Sequence, residues 1–145
     1  MRVPTIYKQM LMAFILLLCS LSITQGQTAN EVAKKIMPSV VVLFNENSKG
    51  KSISLGSGFF VRSDVIATNY HVVKGAGRLY AKLINQPRLY QIKKILAYDS
   101  GKDIALLKIS GVEASPLWIG NSCIMEAGDT VYVVGNPKGL EGTFS

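Results

Sequence analysis

Thr68-Asn69-Tyr70-His71-Val72-Val73 is the stretch on which the reading of this chain turns. It holds the single histidine of the 145 residues. A glycine-flanked apolar run precedes it, Gly56-Ser57-Gly58-Phe59-Phe60-Val61. Another apolar run, opened by a carboxylate, follows it: Asp103-Ile104-Ala105-Leu106-Leu107-Lys108-Ile109. A lone histidine is ordinarily an incidental surface or core residue. This one stands just past a β-type run, where a strand ends and side chains turn outward. Asp103 stands just ahead of another such run, so both side chains can project from one rim of a β structure. A histidine oriented by a carboxylate is the general-base half of a nucleophilic site. Asp103 adjoins a strand expected to be buried, where a carboxylate needs a partner such as a histidine. Asp99 is the competing carboxylate; in the polar loop Asp99-Ser100-Gly101-Lys102 it reads as a solvated turn residue.

Working outward, the chain reads as short strands separated by turn signals. Residues 39–44, 53–62, 65–69, 78–84, 88–98, 104–109 and 130–134 are rich in β-branched or alternating apolar residues. Between the first two lies a polar, glycine-containing loop over 45–52. Residues 70–74 suit one helical turn, broken by Gly75-Ala76-Gly77. Gly56 and Gly58 inside a strand mark a bulge or a close backbone approach, and the bulge is the plainer reading. Residues 29–37 form a lead-in helix that Asn30 could cap and Pro38 would stop. Strands recurring at roughly 8–12 residues, without long intervening helices, imply an all-β barrel or sandwich rather than a doubly wound sheet. The small, polar residues 111–116 are the best boundary between two β units.

Composition narrows the class. Sixteen Lys and Arg stand against nine Asp and Glu, for a formal net charge of +7. The basic residues are scattered, with no dense run interleaved with aromatics, so nucleic acid is not an expected partner. The hydrophobic content of 48% is globular rather than disordered. Residues 1–26 read as a secretory signal peptide: Arg2 and Lys8 are the basic region and residues 10–19 the apolar core. Cleavage is expected near Gly26/Gln27. The uninterrupted apolar core is about ten residues, against roughly 20 for a membrane span, so no stable span is expected after cleavage. The destination is then secreted or periplasmic. Cys19 leaves with the signal and Cys123 stands alone, so no disulfide framework is expected. With one histidine and no paired cysteines, no metal site and no organic cofactor are expected.

Four segments in order carry a resemblance: Gly56-Ser57-Gly58-Phe59-Phe60-Val61, Ala67-Thr68-Asn69-Tyr70-His71-Val72-Val73, Asp103-Ile104-Ala105-Leu106-Leu107-Lys108, and Gly128-Asp129-Thr130-Val131-Tyr132-Val133-Val134-Gly135-Asn136-Pro137. Behind a signal sequence, this pattern resembles bacterial trypsin-like serine endopeptidases of the HtrA/Deg type, from about residue 37 to the end. The resemblance implies chymotrypsin-like Greek-key β-barrels with a site in the cleft between them. Residues 27–38 would be the lead-in helix, 39–110 the first barrel and 111–145 the start of a second. It implies that His71 is the general base and that Asp103 holds its tautomer. The activity implied is serine-type endopeptidase, a hydrolase acting on polypeptides, in particular unfolded envelope or secreted proteins. The alternative is a non-catalytic barrel serving as a protein-binding module, although a pure binder has no need of His71 and Asp103.

The sequence departs from the family at the nucleophile. The family pattern Gly-Asn-Ser-Gly-Gly lies after the segment ending in Gly-Asn-Pro, and it occurs nowhere here. Gly120-Asn121-Ser122 is followed by Cys123-Ile124 and lies ahead of Gly135-Asn136-Pro137, so neither Ser122 nor Cys123 fits the nucleophile's place. Ser57 does not fit it either. Ser145 ends the segment Gly142-Thr143-Phe144-Ser145, short of the motif. The expectation is therefore an N-terminal fragment of a longer protease. It would hold the His–Asp pair without the serine, the oxyanion-hole amides or the specificity pocket, and would be inactive alone.

Overall fold

Strand β1 (Val40–Glu46) is the wall on which the barrel closes. In a computed structural model, which describes residues 28–84, 86–135 and 143–144, Val41, Leu43 and Asn45 are all fully buried. The two-residue period of a strand puts these three on one face. β1 pairs antiparallel on one side with β2 (Ser52–Arg62) and on the other with β4 (Arg78–Leu83). β2 turns back into β3 (Val65–Thr68), β3 pairs with β6 (Ile104–Ile109), and β6 with β5 (Leu89–Asp99), which meets β4. The closed order is β1-β2-β3-β6-β5-β4.

Three hairpin-connected strands with the fourth returning beside the first make a Greek key. The all-β class is as expected, and closure makes it a barrel rather than a sandwich. Closure also removes free edges, each of which would expose a row of unpaired backbone groups. The interior is filled by Leu43, Phe60, Ile66, Leu107 and Ile109. Val72 and Val73 of a four-residue helical turn, α2 (Tyr70–Val73), join the same cluster.

The lead-in helix α1 (Ala29–Ile36) begins two residues earlier than an Asn30 cap would allow. Thr28 caps it instead. Its hydroxyl accepts from Glu31 N at 3.3 Å, and the Glu31 carboxylate accepts from Thr28 N at 2.9 Å, a capping box that satisfies two orphan donors. A 3-10 turn over Met37–Ser39, with Pro38 inside it, leads into β1.

Two sequence expectations are corrected along β1 and β2. Asn45, read as the start of a polar loop, lies inside β1, because its position two residues past Leu43 puts it on the interior face. Gly56 and Gly58 sit in unbroken register opposite Leu43 and Val41, with no bulge at either. They are close-approach glycines: a Cβ on Gly58 would lie 2.8 Å from Ile66 Cγ2 and 2.9 Å from the Ala67 oxygen. The register irregularities fall elsewhere, at Asn45/Glu46, at Phe60/Arg62 and twice in β5.

The segment after the barrel departs from expectation as well. Residues 130–133 are not strand; only β7 (Val134–Gly135) pairs, with β8 (Thr143–Phe144). A strand-like sequence becomes a strand only when a partner completes its ladder. Among the described residues, no strand ladder includes 130–133. Val131 and Val133 are accordingly exposed, as is Trp118. The segment is tied to the barrel by Ser39 Oγ donating to Ser115 O at 2.6 Å and Leu117 N donating to Phe60 O at 2.8 Å. The expected signal sequence over 1–26 with Cys19, the loop Asn136-Pro137-Lys138-Gly139 and Ser145 lie outside the described residues.

Candidate active site

Antiparallel pairing of β3 with β6 sets the site. Thr68 faces Ala105, so the chain leaving β3 and the chain entering β6 meet at one barrel rim. That brings Asn69, Tyr70 and His71 beside Asp103, across 32 residues of sequence for His71. Asp103 is gripped at both its groups. Its main-chain oxygen accepts from Tyr70 N at 3.2 Å and from Asn69 Nδ2 at 3.2 Å. Its carboxylate accepts from His71 N at 2.8 Å (Oδ1), from His71 Nδ1 at 2.6 Å (Oδ2), and from Asn69 Nδ2 at 3.2 Å (Oδ2).

Asp103 takes up this grip with a φ of 54°. The left-handed region is uncommon for a residue with a side chain, though Asp tolerates it better than most. Such conformations persist only where the surroundings impose them. Here the donors from residues 69–71 do so.

The hydrogen bonds set the charge of the Asp103 carboxyl. They hold the Asp103 carboxyl below its ordinary 3.8, the His71 main-chain N–H first and the His71 ring next, against a smaller opposing cost of burial. An ionised carboxylate only accepts, so the proton between the two groups is on Nδ1 of His71. In the neutral form of the ring, that tautomer presents Nε2 as a proton acceptor. The site is open: the side chains of His71 and Asp103 are 69% and 42% exposed. Asp103 stands ahead of the buried strand rather than within it, and Ala105 is the first interior residue of β6.

The rim has two further features. Tyr70 stacks on Tyr98 with ring centroids 4.9 Å apart and planes 16° apart, bracing α2 against the end of β5. A cleft of about 570 Å³ lies on the side of the rim facing the segment after the barrel. Ser57, Gly58, Asn69, Ile104, Leu117 and Tyr132 are among its lining. Neither His71 nor Asp103 lines it, although their neighbours Asn69 and Ile104 do.

The other sequence candidates lie apart. The Asp99 carboxylate accepts from Gly101 N at 2.9 Å and Lys102 N at 3.0 Å, closing its own turn. Ser122 and Cys123 form an exposed 3-10 turn capped by Asn121, whose Oδ1 accepts from Cys123 N at 3.0 Å. Among the described residues, no hydrogen bond joins either of them to His71. No group of three or more His, Cys, Asp or Glu there could hold a metal ion.

Asn69 is the site residue that sequence reasoning missed. Among the described residues, its side chain is the only one besides that of His71 to bond Asp103, and the signal available was its place between strand end and histidine. A second set of contacts reaches the turn from the barrel. The Val72 carbonyl accepts from Asn45 Nδ2 at 3.0 Å and from Ser54 Oγ at 2.9 Å.

The profile of the trypsin-like peptidase domain matches residues 56–145. A protein of Pseudomonas savastanoi pv. phaseolicola named "Probable periplasmic serine endoprotease DegP-like" is 37% identical over 89 residues, covering 61% of this chain and 18% of that protein. A protein of the same name from Rickettsia prowazekii is 41% identical over 96 residues, covering 64% and 18%. "Protease Do-like 1, chloroplastic" of Arabidopsis thaliana is 32% identical over 120 residues, covering 74% and 27%. The chain thus spans about a fifth to a quarter of the length of these relatives.

Proposed function

The chain belongs to the trypsin-like peptidase family, and from that premise we propose that its barrel carries the general-base half of a serine endopeptidase. The observation that carries this reading is the double hydrogen bond from His71 to the Asp103 carboxylate, 2.8 Å from the main chain and 2.6 Å from the ring. In this role His71 Nε2 takes the proton of an attacking serine hydroxyl and returns it to the leaving amine. Asp103 keeps the proton on Nδ1 and stabilises the imidazolium as it forms. The main-chain bond fixes the distance between the residues, and the ring bond fixes the orientation of the imidazole. Asn69 holds Asp103 from its other side.

We assign the nucleophile to chain beyond these 145 residues. Two facts support this: the Gly-Asn-Ser-Gly-Gly pattern is absent from the sequence, and the relatives are about four to six times longer than the matched part. By the same reading this chain alone is inactive. The substrates are polypeptides, in particular unfolded proteins of the cell envelope or secreted proteins. Residues 1–26 act as a signal peptide cleaved near Gly26/Gln27, which delivers the protein to the periplasm or outside the cell. Two relatives are named periplasmic, and among the described residues no helix is long and apolar enough to cross a membrane.

The experiment is to read the gene in frame past Ser145 and express its whole product. A Gly-x-Ser-Gly-Gly motif within about a hundred codons is expected, with a product that a fluorophosphonate probe labels on that serine. Labelling should fall sharply in a His71→Ala variant. The 145-residue chain should not label. Labelling of the short chain, or a gene without the motif, would sink the reading.

A further inference from the structure

We propose that Asn45, Ser54 and Gly56 form a seat in the barrel wall that sets the position of His71 by holding its neighbour, Val72. This rests on the His71–Asp103 reading above. The turn α2 has four residues, too few to be stable by its own hydrogen bonds. Its N-cap residue Asn69 makes no capping bond; the side chain is spent on Asp103. The turn is therefore located by what grips it from outside. Asp103 grips it from the β6 side.

From the β1–β2 side, two donors converge on one atom. Asn45 Nδ2 and Ser54 Oγ both donate to the Val72 carbonyl, at 3.0 and 2.9 Å. Asn45 and Ser54 are paired across the β1–β2 ladder, so one register step delivers both donors. Gly56, two residues along β2 from Ser54, receives the Val72 side chain. A Cβ there would lie 2.5 Å from Val72 Cγ2 and 2.7 Å from Cγ1. Val72 is thus fixed by its carbonyl and by its side chain, and His71 is the residue before it.

The chemistry of Asn45 supports a positioning role over simple filling. Its side chain is fully buried, and its Oδ1 has no hydrogen-bond partner among the described residues. A leucine would fill this wall without desolvating an amide. What asparagine adds is the Nδ2 donor, and only that end of the amide can face a carbonyl oxygen. Ser54 is partly buried, so its replacement does not open the core. The seat acts on His71 through Val72, and none of its three residues is bonded to His71 or Asp103.

The test is NMR of the 145-residue chain, reading the His71 Nδ1 proton and the exchange of the His71 main-chain amide. The wild type is expected to show a low-field Nδ1 proton that Asp103→Asn abolishes. Ser54→Ala should broaden that signal and speed His71 amide exchange by about tenfold through local opening, with Leu107 and Ile66 amides unchanged. Asn45→Ala with Ser54→Ala should remove the signal. Ser54→Thr, which keeps the hydroxyl, should behave as wild type. Gly56→Ala should displace the His71 resonances without touching either donor.

If Ser54→Ala and Gly56→Ala both leave His71 as in the wild type, the seat is refuted, whether or not Asn45→Ala folds. If the wild type shows no Asp103-dependent Nδ1 proton, the His–Asp reading fails and the seat with it. The two failures are thereby told apart.

Discussion

At the residue scale, the site is organised by what Asp103 accepts. Its carboxyl is held low chiefly by the His71 main-chain N–H and next by the ring. A carboxylate whose value is lowered on folding stabilises the folded arrangement above its ordinary value of 3.8, and that contribution is lost as pH falls through the lowered value. A carbon-13 titration should therefore place the Asp103 midpoint below 3.8. In His71→Ala the midpoint should rise only part of the way, because the main-chain bond survives. A full return to 3.8 would show that the ring, not the backbone, dominates. Asp103→Asn should move the ring proton to Nε2, since an amide presents a donor to Nδ1. Nitrogen-15 shifts of His71 report the tautomer directly. In a gene product carrying the nucleophile, kcat should fall on the order of 10⁴-fold.

At the scale of elements, two contacts decide how strand and helix are held. Gly58 has room for no side chain between Ile66 Cγ2 and the Ala67 oxygen. Gly58→Ala should overpack the β2–β3 contact and cost about 1–3 kcal/mol, read from the denaturant midpoint. A neutral outcome would mean that β3 yields more easily than its ladder suggests. The capping box of α1 works on a different scale of consequence. Thr28→Ala removes one reciprocal bond, worth about 1 kcal/mol to the helix, yet α1 has no buried residue. Its first turn should fray by amide exchange while the barrel melts unchanged.

At the scale of the whole molecule, barrel closure protects β1 to β6 from edge pairing, so association should come from the segment after the barrel. Trp118 is 93% exposed, Val131 65% and Val133 67%, and exposed apolar side chains favour self-association. The 145-residue chain should sediment as oligomers at micromolar concentration, with blue-shifted Trp118 emission; a monomer with water-exposed emission would contradict this.

Much of the organisation was readable in the chain itself. The two-residue apolar period placed the barrel strands to within a residue or two at most ends, because that signal is local. The helical turn at 70–74 and the family pattern around His71 were legible for the same reason. Three things were not. The role of Asn45 depends on which face of β1 it occupies and on a carbonyl 27 residues away. The meaning of Gly56 and Gly58 depends on Val72, Ile66 and Ala67 lying against them. The exposure of Asp103 depends on how far the neighbouring elements reach over the rim. The sequence by itself determined the strand pattern and the chemical identity of the pair at the rim. Only the tertiary structure decided their geometry, because register between strands distant in sequence sets which donors meet Asp103 and Val72.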